Sequence, residues 1–66
     1  MRLRQLAKDK DSGTIGCPSV HVDEETGDLV VQGHGISMEH LPTPLPGEQA
    51  VRIDPAIVRA AMQALD

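Results

Sequence analysis

The chain has 66 residues, with ten acidic side chains against six Lys and Arg, a single cysteine and no Phe, Tyr or Trp. A chain of this length forms one small domain, residues 1–66, and one cysteine excludes an intrachain disulfide. With no signal peptide and no apolar run long enough to span a bilayer, we expect a cytoplasmic protein without membrane association.

The N-terminal segment is the only basic part of the chain. Its first ten residues contain Arg2, Arg4, Lys8 and Lys10 against a single acid, Asp9. Alternation over residues 1–6 favours a short edge strand over a helical turn. Because acidic residues dominate the rest of the chain, its charge disfavours a nucleic-acid partner, and the basic arm is expected to pair with acidic groups of its own fold or of a neighbouring subunit. Residues 9–16, rich in Asp, Ser, Gly and Thr, predict a loop.

Residues 18–33 contain two alternating apolar segments joined by the turn Glu24-Glu25-Thr26-Gly27. A four-residue turn closed by a left-handed glycine predicts a hairpin with strands at about 18–23 and 28–33. The facing pairs are then Asp23 and Asp28, Val22 and Leu29, His21 and Val30, Val20 and Val31, and Ser19 and Gln32. Alternation gives the hairpin one apolar face and one mixed face. The apolar face is expected to be buried by another element. The apolar face contains Val20, Val22, Leu29 and Val31, and the mixed face contains Ser19, His21, Val30 and Gln32.

The segment after the hairpin contains breaks and a stiff connector. Gly33-His34-Gly35 is expected to end the ladder, and residues 36–41 predict one short helical turn with Ser37 as its cap and Glu39 in its first turn. Three alternating prolines in residues 41–47 exclude a helix and a central strand, and they predict an extended Pro-rich connector. A ligand for a proline-recognising domain is the less favoured interpretation, because the stretch is short and has no basic flank.

The chain ends with a predicted strand and helix. Val51 and Ile53 alternate with Arg52, which predicts a strand near 49–53 whose apolar face joins that of the hairpin. Asp54 is a natural cap for a helix over residues 55–65, whose apolar stripe consists of Ile57, Val58, Ala61, Met62 and Leu65. We therefore expect an α+β fold: a small antiparallel sheet built on the central hairpin, plus the strand near 49–53, covered by the C-terminal helix.

One cysteine and three histidines have a spacing close to that of a zinc finger, C-x3-H-x12-H-x5-H, formed by Cys17, His21, His34 and His40. In a strand, however, Cys17 and His21 would lie ~13 Å apart at ~3.3 Å per residue, too far to share one tetrahedral ion. A smaller alternative places Cys17 opposite His34, as a reactive thiolate or a pair of metal ligands. A structural Cys17 without metal or cofactor is favoured over both sites.

No other motif indicates chemistry. The carboxylates of the hairpin tip, between Asp23 and Asp28, are interpreted as solvated turn charges, because they lack the looped spacing of a calcium site. The segment Gly33-His34-Gly35 lacks the lysine and the long helix of a phosphate loop. We identify no catalytic residue and expect no enzyme.

Several short motifs suggest a resemblance: Cys17-Pro-x-Val, the stretch from Asp23 to Gly33, Leu45-Pro-Gly-Glu, and Val51-Arg-Ile-x-Pro. Together they resemble small uncharacterised actinobacterial proteins found beside helix-turn-helix regulators. The resemblance covers about two thirds of the chain and brings no catalytic residues with it. It implies a regulatory accessory role.

The sequence therefore favours a non-enzymatic interaction or regulatory accessory module. A core without aromatic side chains makes a homodimer the simplest way to bury more apolar area. A further protein partner, such as a transcriptional regulator, is expected at a sheet edge or at apolar residues that one helix leaves uncovered. The alternatives are a metal- or thiol-dependent site on Cys17 and the histidines, and nucleic-acid contact through the basic arm. The candidate interaction surface consists of Arg2, Arg4, His21, Val30 and Gln32.

Overall fold

The computed structural model describes residues 1–9 and 18–65. Within these ranges the elements are β1 (Leu3–Lys8), β2 (Ser19–Asp23), β3 (Leu29–Gln32), β4 (His34–Ile36), a 3-10 helix (Met38–His40), β5 (Ala50–Arg52) and α1 (Pro55–Leu65). One antiparallel sheet has the strand order β1-β2-β3, and β4 and β5 form a second, two-stranded sheet. The predicted α+β class is confirmed. In this part of the chain, no helix has the length and apolar character needed to cross a membrane.

The central hairpin has the predicted register. The ladder between β2 and β3 pairs Val22 with Leu29 and continues without interruption to Ser19 and Gln32. At the turn, the Asp23 amide donates to the Asp28 carbonyl at 2.8 Å, and the Gly27 amide donates to the Asp23 carbonyl at 2.7 Å. Gly27 has a φ of 84°, in the left-handed region where side chains are disfavoured. Turn chemistry and strand alternation were sufficient to predict this hairpin.

Replacing Gly27 with valine should destabilise the fold by about 1–2 kcal/mol, the cost of a left-handed conformation for a residue with a Cβ. A Cβ at this position would meet no atom within 4 Å, so the expected loss comes from the backbone and not from a clash. Urea unfolding of Gly27→Val measures it. Gly35→Val is the control, because Gly35 also has open space around it but lies in β4 without a positive φ. Equal stability of the two variants would contradict the turn assignment.

The basic N-terminal segment forms an edge strand, as predicted. β1 pairs with β2 from Leu3 and Asp23 to Lys8 and Ser19, and a bulge between Gln5 and Ala7 shifts the register. Beyond the strand, the Asp9 amide donates to the Pro18 carbonyl at 3.0 Å. The rest of the predicted loop, residues 10–16, lies outside the described residues.

The core forms where α1 lies against β1 and β2. Its buried apolar side chains in the described ranges are Val20, Val22, Ile57 and Ala61. Val20, Ile57 and Ala61 form one cluster, and the partly buried Leu6, Ala7 and Ile53 pack against it. The helix begins as predicted, because the Asp54 carboxylate accepts a hydrogen bond from the Ala56 amide at 2.9 Å.

The strand predicted near 49–53 exists, but it does not extend the hairpin sheet. β5 pairs with β4, from His34 and Arg52 to Ile36 and Ala50. The ladder of the hairpin ends at Gln32, as expected, and β4 follows after Gly33, where the sequence indicated only a break. Gly33 permits this arrangement because a Cβ there would lie 2.6 Å from the Arg52 carbonyl oxygen. The glycine therefore lets the backbone before β4 approach the backbone of β5 closely.

The connection between β4 and β5 has the short helical turn and the extended connector that the sequence predicts. Ser37 caps the 3-10 helix, and its hydroxyl accepts a hydrogen bond from the Glu39 amide at 3.2 Å. The Pro-rich residues 41–47 contain neither helix nor strand. This connector returns the chain from β4 to its partner β5.

Candidate interaction surface

The apolar face of the hairpin is only partly covered. Val20 and Val22 are buried. On the neighbouring strand, the exposed fractions of Leu29 and Val31 are 41% and 40%. The reason is the position of α1, which contacts β1 and β2. The sheet face beside β3 is therefore open.

The apolar stripe of α1 is divided in the same way. Ile57 and Ala61 are buried, whereas Val58, Met62 and Leu65 are exposed at 38–41%. Another flank of the helix, at Ala56 and Ala60, lines a shallow cleft with residues 7–9 at the end of β1. At 3.6 residues per turn, the three exposed side chains lie on the other flank of the helix, away from the cleft with β1. We call Leu29, Val31, Val58, Met62 and Leu65 together the open apolar face.

The residues predicted to form an interaction surface lie on both faces of the sheet. His21 and Val30 face each other in the ladder, and Gln32 is on the same, mixed face. The buried Ser19 hydroxyl connects this group, 3.0 Å from His21 Nε2 and 3.4 Å from Gln32 Oε1. Arg4 instead faces Val22, so Arg4 and Arg2 belong to the opposite face. The structure brings together His21, Val30 and Gln32, but not the two arginines.

The basic arm contacts the acidic hairpin tip. The N-terminal ammonium of Met1 lies 2.9 Å from Glu25 Oε1, and Arg4 Nε lies 3.6 Å from Glu24 Oε2. Both pairs are exposed, and surface pairs of this kind stabilise a fold by only about 0–1 kcal/mol each. These ion pairs nevertheless occupy basic groups that a nucleic acid would contact and carboxylates that a cation would contact. Two acidic side chains of the tip are thus paired with two basic groups of the same chain.

The side chain of Asp23 is held in place by backbone hydrogen bonds. The residue is buried, and its Oδ1 accepts hydrogen bonds from the backbone amides of Glu25 at 3.0 Å and Arg2 at 3.4 Å. The pKa of Asp23 is lowered, chiefly by the Glu25 amide, against an opposing effect of desolvation and with further help from Arg2 and Thr26. Asp23 is therefore a structural anion that ties the turn to β1.

Acid should weaken this link. Because the folded-state pKa is lowered, the contribution of Asp23 to stability is complete above the pKa of the unfolded state, about 3.9, and is lost as the pH falls through the folded-state value. We expect Asp23→Asn to be less stable than the wild type at pH 7, and to lose less further stability between pH 5 and pH 3. Urea unfolding across this range measures both. Asp28→Asn, which removes an exposed charge from the same turn, serves as the control, and equal pH profiles for the wild type and Asp23→Asn would contradict this role.

The predicted metal ligands are distributed over separate elements. His21 lies in β2, His34 in β4 and His40 in the 3-10 helix, and the described residues contain no group of three or more potential ligands that could hold a metal ion. Cys17 lies outside the described residues. The pairing of Cys17 with His34 required the hairpin ladder to continue past Gln32, whereas His34 pairs with Arg52 in the second sheet. A thiol site on Cys17 stays an alternative prediction.

Neither sequence nor structural comparison identifies a relative. No family model matches the chain, and neither a curated protein nor a solved structure is detectably similar to it.

Proposed function

We propose that this protein is a non-enzymatic interaction module that functions as a homodimer. The open apolar face is the observation that supports this proposal. Its five apolar side chains are exposed on β3 and α1, whereas the core buries four in the described ranges. A domain this small gains marginal stability from such a core, and burial of the open face against a second subunit would increase it.

The shape of the surface favours a macromolecular partner over a small ligand. A small-molecule site usually combines a concave apolar wall with converging polar groups. The open apolar face combines a sheet surface with the flank of a helix, and its members are Leu, Val and Met. Such a surface suits another folded surface, from a second copy or from a different protein.

The resemblance of several short motifs to actinobacterial proteins found beside helix-turn-helix regulators suggests a transcriptional regulator as a further partner. The mixed face, with His21, Val30 and Gln32, offers a second surface for it, separate from the open apolar face. We place this activity in the cytoplasm, because a chain with a single cysteine has no disulfide framework of the kind common in small secreted domains.

Sedimentation or light scattering at micromolar concentration tests the dimer. The wild type should have twice the monomer mass, and Val58→Lys should have the monomer mass because it places a charge in the open apolar face. Ala56→Lys is the matched control: Ala56 is also exposed on α1, but on the flank beside β1. A monomeric wild type whose thermal unfolding is independent of concentration would contradict the proposal.

A further inference from the structure

We propose that the second copy docks on β3: the β3 strands of two subunits pair antiparallel about a twofold axis at Val30, forming one six-stranded sheet. The inference rests on the proposed homodimer and adds its interface and register.

The two edges of the three-stranded sheet differ in their suitability for pairing. β1 has Arg4 and Lys8 and is interrupted by a bulge between Gln5 and Ala7, features that discourage strand addition. β3 has the sequence Leu-Val-Val-Gln, with no charge, proline or bulge, and β2 is its only strand partner in the described part of the chain. The unprotected edge is thus β3.

The backbone of β3 directs a defined set of groups towards this edge. The amide of Asp23 donates to the carbonyl of Asp28, and hydrogen-bonded pairs alternate along an antiparallel ladder. Val30 and Gln32 therefore direct their amide and carbonyl groups towards β2. Leu29 and Val31 direct theirs outward, which leaves two donors and two acceptors at the free edge of each subunit.

One register satisfies all of these groups with strand residues alone. If Val30 faces Val30 of the second copy, Leu29 of each copy faces Val31 of the other, and four hydrogen bonds use every outward group. An axis at Leu29 would pair Val31 with Gly27, which has a left-handed conformation in the turn. An axis at Val31 would pair Leu29 with Gly33, whose backbone is next to the Arg52 carbonyl. The axis at Val30 avoids both.

Side chains and charges also complement each other in this register. Leu29 and Val31 become cross-strand neighbours on the side that bears α1, so the open apolar faces of the two subunits join. Asp28 faces an uncharged Gln32. Beyond this pair, the acidic turn of each copy lies near the end of β3 that leads to His34 and Arg52 in the other. Neither Asp28 nor Arg52 forms an ion pair within the described ranges, so both charges are free to interact across the interface.

Cysteine cross-linking tests the register. In a Cys17→Ser background, Val30→Cys should form a disulfide-linked dimer under mild oxidation, because the Cα atoms of a pair without mutual hydrogen bonds are about 4.5 Å apart, within disulfide range. Asp28→Cys and Gln32→Cys should each remain monomeric on a non-reducing gel, because identical residues would lie about 13 Å apart along the strands. An equimolar mixture of these two variants should cross-link.

The outcomes separate this inference from the proposed function. A dimeric mass without cross-linking of Val30→Cys would overturn docking through β3 and leave the homodimer intact, whereas a monomeric wild type would overturn both. Cross-linking of Val30→Cys with Asp28→Cys, or with Gln32→Cys, in place of the expected pairs would overturn the axis at Val30. Circular dichroism of the reduced variants establishes that each is folded. If Cys17→Ser impairs folding, the same variants with Cys17 retained are used, and the linked peptides are identified by mass.

Discussion

Ala61→Leu is expected to reduce the free energy of unfolding by about 1–3 kcal/mol, the usual cost of adding volume to a packed core. Ala61 is fully buried in a cluster with Val20 and Ile57, where α1 lies on the sheet. A methyl group at this position lets the helix approach the strands closely, and leucine would force them apart. A 66-residue chain has only roughly 3–10 kcal/mol of stability in total, so this loss should be evident at ordinary temperatures.

The matched control is Ala64→Leu, one turn further along the same helix and exposed. Both substitutions change helix propensity equally, so a difference between them reports on packing. Urea unfolding at one protein concentration measures both variants, because a dimer's stability depends on concentration. If Ala61→Leu is as stable as Ala64→Leu, the helix does not rest on the sheet at this residue.

Gly33→Ala should also cost about 1–3 kcal/mol, because its Cβ would lie 2.6 Å from the Arg52 carbonyl oxygen. The obstacle is backbone, which cannot rotate away as a flexible side chain can. Relief requires β5 to move away from Gly33, and that movement strains its pairing with β4. The substitution therefore tests the junction between the two sheets.

Gly35→Ala, two residues along the chain, provides the comparison. A Cβ at Gly35 would meet nothing within 4 Å, so we expect this variant to retain the stability of the wild type or exceed it slightly. Thermal unfolding followed by circular dichroism compares the pair. Equal melting temperatures would show that the approach of Arg52 to Gly33 does not constrain the fold.

The hairpin and the N-terminal starts of the helices could be predicted, because they depend on residues that are close in sequence. Gly27 closes its turn through a conformation that only a few consecutive residues define, and the ladder follows from a period of two. Asp54 and Ser37 bond to amides two residues ahead of them in the chain. In each case the interacting groups are close in sequence, so the pattern contains the information needed.

The pairing of β5 and the division of the candidate surface could not be predicted in this way. Alternation at Val51 identifies a strand but does not name its partner, and β4 provides one only because Gly33 allows a close approach of backbones. The bulge in β1 and its register with β2 put Arg4 on the face opposite His21, although the sequence predicts one surface for both. These outcomes depend on contacts between residues far apart in the chain.

Turn, capping and periodicity act over a few residues, so local sequence specifies the register of the hairpin, the start of α1 and the apolar character of its stripe. The position of α1 over β1 and β2, which leaves Leu29 and Val31 exposed, follows from long-range packing. An amphipathic pattern identifies the apolar side chains that gain from burial. Whether each of them is buried depends on where elements distant in sequence are placed. One helix is too narrow to cover three strands, and this shortage of cover is what leaves β3 open to a second chain.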